Sequence, residues 1–317
     1  MKLSICTIST DHEYDLVIVC CGYESRSRSM VERKKCLSSQ RVAVGYGELE
    51  EIAFAENVEF FVSSGFVFSA VSDDMFPLYI RGLLAQLEQK ENPSILLDIS
   101  CFTRIRLAQI VEALSELDFY LLDVFYSLAE FSAPPSSEPP NEHLCPVTSY
   151  FSGWTGDADR AVGLVCGLGY EQLKALGIME YIDPFETWLF FPHSSISSYD
   201  VAVEQANTLL LREVAPSNIV HYPVLEGVVL MRKLLALVGA VRQDFRCILM
   251  PLGPKIFAFG GLLVGSVFRD VSVWRASSGR FARAKDRKAS ADFAEFRVVW
   301  NATSDSHHLA HSDFDRS

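Results

Sequence analysis

Short apolar runs alternate with stretches of helical period along this chain, and the alternation is written twice in one order. In the first half the apolar runs are Leu16–Cys21, Arg41–Gly45, Val58–Val62, Ile95–Ile99 and Phe119–Tyr126. Between them lie helical patterns over Ser25–Leu37, Pro77–Gln89 and Ile105–Leu117, the last with Leu107, Ile110, Val111 and Leu114 on one stripe. In the second half strands are expected at Ala161–Cys166, Thr187–Pro192, Ile219–Tyr222, Cys247–Leu252 and Val271–Ala276. Helices are expected over Glu171–Tyr181, Glu226–Val241 and Ile256–Phe268. Strands alternating with helices pair in parallel through right-handed crossovers.

The spacings of the two halves agree. Gly22 and Gly169 are 147 residues apart (169 − 22), and so are Arg41 and Trp188 (188 − 41). Ile95 and Ile248 are separated by 153 (248 − 95), Asp118 and Asp270 by 152 (270 − 118). Only the third strand drifts, at 161 from Val58 to Ile219 (219 − 58), and the helical segment "SYDVAVEQANTLLLREV" absorbs the difference. Both first strands also run into the same tripeptide, Gly-Tyr-Glu. The expected fold is α/β, an internal duplication of two tandem Rossmann-like units, each a mainly parallel five-stranded sheet flanked by helices. The five prolines of "SAPPSSEPPNEHLCP" suit neither a helix interior nor a central strand and mark the boundary. The expected division is unit 1 over 1–131, linker 132–158, unit 2 over 159–300 and a polar tail over 301–317.

Composition narrows the setting. Hydrophobic residues make up 49% of the 317, which suits sheets buried on both faces. The most apolar window, Ile256–Phe268, lies between Lys255 and Arg269 and falls short of the roughly 20 residues of a spanning helix. Asp11, His12 and Glu13 interrupt the N-terminal segment, so no signal peptide is read there, and the expected location is cytoplasmic. Eight cysteines without a CxxC pair read as reduced core residues. A net charge of −12 argues against broad nucleic-acid binding, although two local basic runs, "ESRSRSMVERKK" and "RFARAKDRK", leave direct contact with a phosphate open.

In doubly wound sheets, ligands bind beyond the carboxyl ends of strands where the winding reverses. With strand order 3-2-1-4-5, the first and fourth strands flank that point in each unit. The loops there supply Gly22, Tyr23, Glu24 and Arg26, then Ser100, Thr103 and Arg104, in the first unit. The second unit supplies Gly169, Tyr170 and Glu171, then Gly253 and Lys255. Glycines admit a close backbone approach, helix starts favour anions, and Arg26, Arg104 and Lys255 are cations where a phosphate can sit. Arg104 and Lys255 stand out because both follow fourth strands. Other readings stand beside these: the hydroxyls as plain helix caps, the tyrosines as packing between the units, and the glutamates as ribose ligands or partners for an arginine. His193 and the strand residue Asp98 are the remaining acid–base candidates, and no catalytic residue is assigned. Nucleotide-loop, zinc-protease and nucleophile-elbow motifs are absent, and neither a metal nor a cofactor is implied.

"DISCFTR" and its counterpart "PLGPK", each between a strand and a helix, resemble the ligand-binding half of CRISPR-associated Rossmann-fold (CARF/SAVED-like) sensor domains. In that family the loop after the fourth strand resembles Thr-Gly-Gly-Thr-Lys; Gly253, Pro254 and Lys255 match it in part, Ser100, Thr103 and Arg104 more loosely. The twin Gly-Tyr-Glu is not part of that pattern. The resemblance implies a sensor or accessory subunit of a bacterial antiviral or signalling assembly. Its partners would be a nucleotide-like anion, such as a cyclic oligonucleotide held between the units, and a protein partner or second copy, with no membrane involved. Two alternatives remain open: an enzyme on a nucleotide or nucleoside (phosphodiesterase or glycosidase), and a non-catalytic scaffold subunit.

Overall fold

The computed structural model describes residues 3–9, 13–35, 37–47, 51–133, 141, 143–153, 157, 159–277 and 284–302. The fold is α/β, with two mostly parallel sheets. The first contains β1 (Leu3–Cys6), β2 (Leu16–Cys21), β3 (Arg41–Tyr46), β4 (Val67–Val71), β5 (Ser94–Asp98), β6 (Phe119–Ala129) and β13 (Ala289–Asn301). Its order is β1-β13-β6-β5-β2-β3-β4. The second contains β7 (His143–Pro146), β8 (Val162–Gly167), β9 (Glu186–His193), β10 (Ile219–Pro223), β11 (Arg246–Pro251) and β12 (Ser272–Ser277), in the order β10-β9-β8-β11-β12-β7.

Each sheet has a parallel core of five strands in the order 3-2-1-4-5: β4-β3-β2-β5-β6 in one and β10-β9-β8-β11-β12 in the other. Neither sheet stops at five. β13 and β1 extend the first antiparallel, and β7 extends the second. β13 lies within the segment expected in the second unit, yet it pairs along β6, where Trp300 stacks on Tyr120 with ring centroids 5.9 Å apart. Its alternation buries Ala294, Phe296, Val298 and Trp300 against the core. β7 lies in the proline-rich segment; Pro146 is tolerated there because the strand is at a sheet edge. The polar tail from residue 303 onward lies outside the described residues.

One strand was misplaced by the sequence pattern. Val58–Val62 belongs to helix α2 (Phe54–Ser63), which buries Phe54, Asn57 and Phe61 at helical spacing. The chain then reverses at Gly65, whose φ of 79° suits glycine, and enters β4. With β4 as the third strand the drift in spacing disappears: Val67 to Ile219 is 152 (219 − 67), and Ser94 to Arg246 is also 152 (246 − 94). The extra residues of the second half lie just before, where α6 (Ser197–Ala206) and α7 (Thr208–Glu213) stand in the place of α2. The helix expected over Ser25–Leu37 is shorter, a 3-10 turn at Ser25–Arg28 followed by α1 (Ser29–Arg33).

One apolar cluster spans both halves, beside a smaller one within each. Helix α4 (Arg104–Leu114) follows β5, helix α9 (Lys255–Val267) follows β11, and the two pack against each other. Leu107, Ile110, Val111 and Leu114 of α4 join Phe257, Phe259, Leu262 and Leu263 of α9 in a single buried cluster. Every residue from Ile256 to Ser266 is buried, so the most apolar segment of the chain is covered by the protein itself. Helix α8 (Gly227–Asp244) touches β1 and β13 of the first sheet as well as β8 and β10 of the second. No helix among the described residues is long and apolar enough to cross a membrane.

Candidate functional site

The reversal point of each sheet faces the same space. The loops after β2, β5, β8 and β11 all line one cavity of about 720 Å³. Of the residues singled out from sequence, Gly22, Tyr23, Glu24, Arg26, Thr103, Arg104, Gly169, Tyr170, Glu171, Gly253 and Lys255 all border it. Ser100 does not. It is fully buried beneath, where its N–H donates to Asp98 Oδ1 (2.8 Å) and its hydroxyl accepts from Ser127 N–H (2.8 Å).

The two cations that follow fourth strands reach across to the other half. Arg104, from the first half, donates through Nε to the Pro251 carbonyl and through Nη2 to the Gly253 carbonyl, each at 3.1 Å. Lys255, from the second half, donates through Nζ to the Ser100 carbonyl at 2.7 Å. The carboxylates of the twin tripeptide complete the exchange. Burial pushes the Lys255 ammonium below the usual lysine range, and Glu24 of the opposite half opposes that shift. Burial likewise lowers Arg104, opposed by Glu171 of its opposite half. The charge of each Gly-Tyr-Glu carboxylate therefore bears on the cation contributed by the other half. Glu24 also pairs with Arg26, at 2.5 Å from its Nε, while Arg26 Nη1 donates to the Ser127 carbonyl (3.2 Å).

Backbone contact closes the floor on the second-half side. Gly253 has a φ of 71°, and a Cβ there would lie 2.0 Å from the Leu168 carbonyl oxygen. At Gly169 a Cβ would meet the Gly253 backbone at 3.0 Å and the Glu171 carboxylate at 2.2 Å. Gly22 has no such need, since its nearest neighbours would be at 3.7 and 3.8 Å. Two buried asparagines that the sequence pattern did not flag hold these loops in corresponding ways. Asn57 Nδ2 donates to the carbonyls of Gly22 (2.8 Å) and Glu24 (3.0 Å); Asn207 Nδ2 donates to that of Gly169 (2.8 Å). Both follow the second strand of their half, 150 residues apart (207 − 57), which is the signal that could have found them.

Thr103 is the N-cap of α4, its hydroxyl accepting from Arg106 N–H at 3.3 Å. Tyr170 packs edge-on between Phe131 (6.2 Å) and Tyr199 (5.6 Å), forming an aromatic wall of the cavity. Further cations complete the lining: Arg275 near the end of β12, and Lys285 and Arg287 in the approach to β13. Lys285 and Arg287 belong to the basic run already visible in the sequence, whereas nothing in the sequence singled out Arg275. In all, Arg26, Arg104, Lys255, Arg275, Lys285 and Arg287 face Glu24, Asp73, Glu130 and Glu171, and Asp73 is itself tied to Arg106 at 2.7 Å.

The acid–base candidates lie elsewhere. Asp98 is 2% exposed and outside the cavity lining; burial raises its carboxyl to about 6. His193 is exposed, held by Asp200 (2.9 Å) and by His221 (2.8 Å), and only its neighbour Ser194 borders the cavity. Burial also holds the cavity-lining thiol of Cys101 well above the usual range, which keeps it protonated and weakly nucleophilic. Neither a protein-family model nor a curated protein matches this chain. The site's own chemistry remains: a half-enclosed space with excess positive charge, aromatic faces and backbone loops pinned from both halves. That combination suits the binding of an anion with a planar group.

Proposed function

We propose that this protein binds a nucleotide-like anion in the shared cavity and serves as a sensor or accessory subunit in a defence or signalling assembly. The observation that carries the binding reading is the charge of the cavity. A chain of net charge −12 gathers six cations against four carboxylates in one space of about 720 Å³ beside the Phe131–Tyr170–Tyr199 wall. The excess of positive charge in this half-buried space favours the uptake of an anion. The assignment to an antiviral assembly rests on the resemblance of the fourth-strand loops. The strand order common to both sheets, with Gly-Tyr-Glu at corresponding carboxyl ends, supports reading the chain as an internal duplication. The enzyme alternative gains no support from the site, because Asp98 and His193 do not border the cavity and Glu24 is engaged with Arg26.

A thermal-shift panel of mono-, di- and cyclic nucleotides tests the reading. A ligand at a hundredfold excess over its Kd stabilises the folded chain by about 2.7 kcal/mol, a readable shift in Tm. At least one phosphate-bearing nucleotide is expected to raise Tm, with the nucleotide recovered unchanged. A flat panel overturns binding, and conversion of the nucleotide would restore the enzyme alternative.

A further inference from the structure

The cations of the cavity fall into two kinds. Arg104 donates two of its N–H groups and Lys255 one of its three to backbone carbonyls of the opposite half, Arg26 is held by Glu24 and the Ser127 carbonyl, and Lys285 donates to Ser132 Oγ at 3.1 Å. Arg275 is different: its Nε is buried and has no hydrogen-bond partner. A buried guanidinium N–H without an acceptor is costly and leaves this fork unanchored among the described residues; the side chain borders the cavity, where its Nη groups suit phosphate oxygens. Its strand contributes only main-chain pairing there, Arg275 lying opposite Cys145 of β7, so the side chain is not needed for the ladder. Arg287 stands at the exposed mouth of the same cavity with no carboxylate partner among the described residues, and its charge bears on Arg104, Tyr23 and Tyr126 within the site.

We propose that Arg275 is the anchor for the ligand's phosphate charge, flanked by Arg287 at the mouth, and that Arg104 and Lys255 are positioning residues that join the two halves. This assignment rests on the binding reading above and reverses the roles suggested by the fourth-strand loops. It places the charged end of the ligand against β12, and leaves the aromatic wall of Phe131, Tyr170 and Tyr199 for its planar part.

Inorganic pyrophosphate, which has no planar part, is the probe. Its effect on Tm would be titrated for wild type, Arg275→Met, Arg275→Lys, Arg287→Met and Arg104→Met. Wild type is expected to be stabilised. Arg275→Met should require about tenfold more pyrophosphate for the same shift, in keeping with loss of a charge-assisted contact, and Arg275→Lys less than that. Arg287→Met should have a smaller effect than Arg275→Met, while Arg104→Met lowers the starting Tm and weakens the pyrophosphate dependence less than Arg275→Met does. An unchanged dependence in Arg275→Met, or its loss in Arg104→Met alone, overturns the assignment. So does a wild type that ignores pyrophosphate; if nucleotides still raise its Tm, the binding reading survives and only the anchor is wrong.

Discussion

Replacing Arg104 by methionine keeps most of the side chain's length and removes its two bonds to the second half. Those bonds, at 3.1 Å to the carbonyls of Pro251 and Gly253, are made by a charged donor. Hydrogen bonds of that kind contribute about 1.5–3 kcal/mol each, and the lower end applies because Arg104 is only half-buried. Loss of both leaves two carbonyls of the β11 loop without this partner and the Glu171 carboxylate without its nearby cation. The expected destabilisation is therefore about 2–4 kcal/mol. Equilibrium urea denaturation of the whole chain, followed by far-UV circular dichroism, measures it. Lys255→Met, which removes one bond of 2.7 Å, should cost about 1.5–3 kcal/mol in the same assay. Pairing Arg104→Met with Glu171→Gln tests the exchange itself, since the double variant should be less destabilised than the sum of the singles. A loss below about 0.5 kcal/mol for Arg104→Met, with strict additivity in the cycle, would refute the view that these cations join the halves.

Two further outcomes follow from the same geometry. Gly253→Ala forces an alanine into left-handed backbone, at about 1–2 kcal/mol, and drives its Cβ towards the Leu168 carbonyl; a loss of at least about 2 kcal/mol is expected, against under about 1 kcal/mol for Gly22→Ala, again by urea denaturation. Asp98 has its carboxyl raised on folding from 3.8 to about 6, so its stabilising contribution is complete below pH 3.8 and is lost as pH rises through about 6. Asp98→Asn should therefore match wild type near pH 3.5 and exceed it above pH 6.5 by on the order of 3 kcal/mol, a difference read from paired denaturation curves; equal curves at both pH values would contradict the burial argument.

The parts of this fold that were legible in the sequence are those fixed by local pattern. The continuous apolar runs of β2, β5, β8 and β11 are buried on both faces, so they stand out without reference to anything distant. The loops that end them could be placed for the same reason. β4 could not: as an edge strand it buries only Val71 fully, and the neighbouring run "VEFFV" carried more apolar signal while belonging to a helix. β13 alternates clearly, but its place beside β6 is set by pairing across more than half the chain, which no local period records. In the site, the identity of Arg104 and Lys255 was visible, but their partners were not. Their acceptors are main-chain carbonyls about 150 residues away, and every residue type offers one. Arg275 had the opposite difficulty, since a single arginine on a strand becomes notable only once its Nε is found buried without an acceptor.

Four loops from two halves border a single cavity, so one ligand is expected per chain rather than one per half. Isothermal titration of the chain with whichever nucleotide raises Tm most in the panel tests this most directly. The predicted result is one site per chain, weakened by Arg275→Met and also by Gly169→Ala, whose Cβ would meet the Gly253 backbone at 3.0 Å in the cavity floor. Two independent sites per chain, or one site untouched by either substitution, would contradict it.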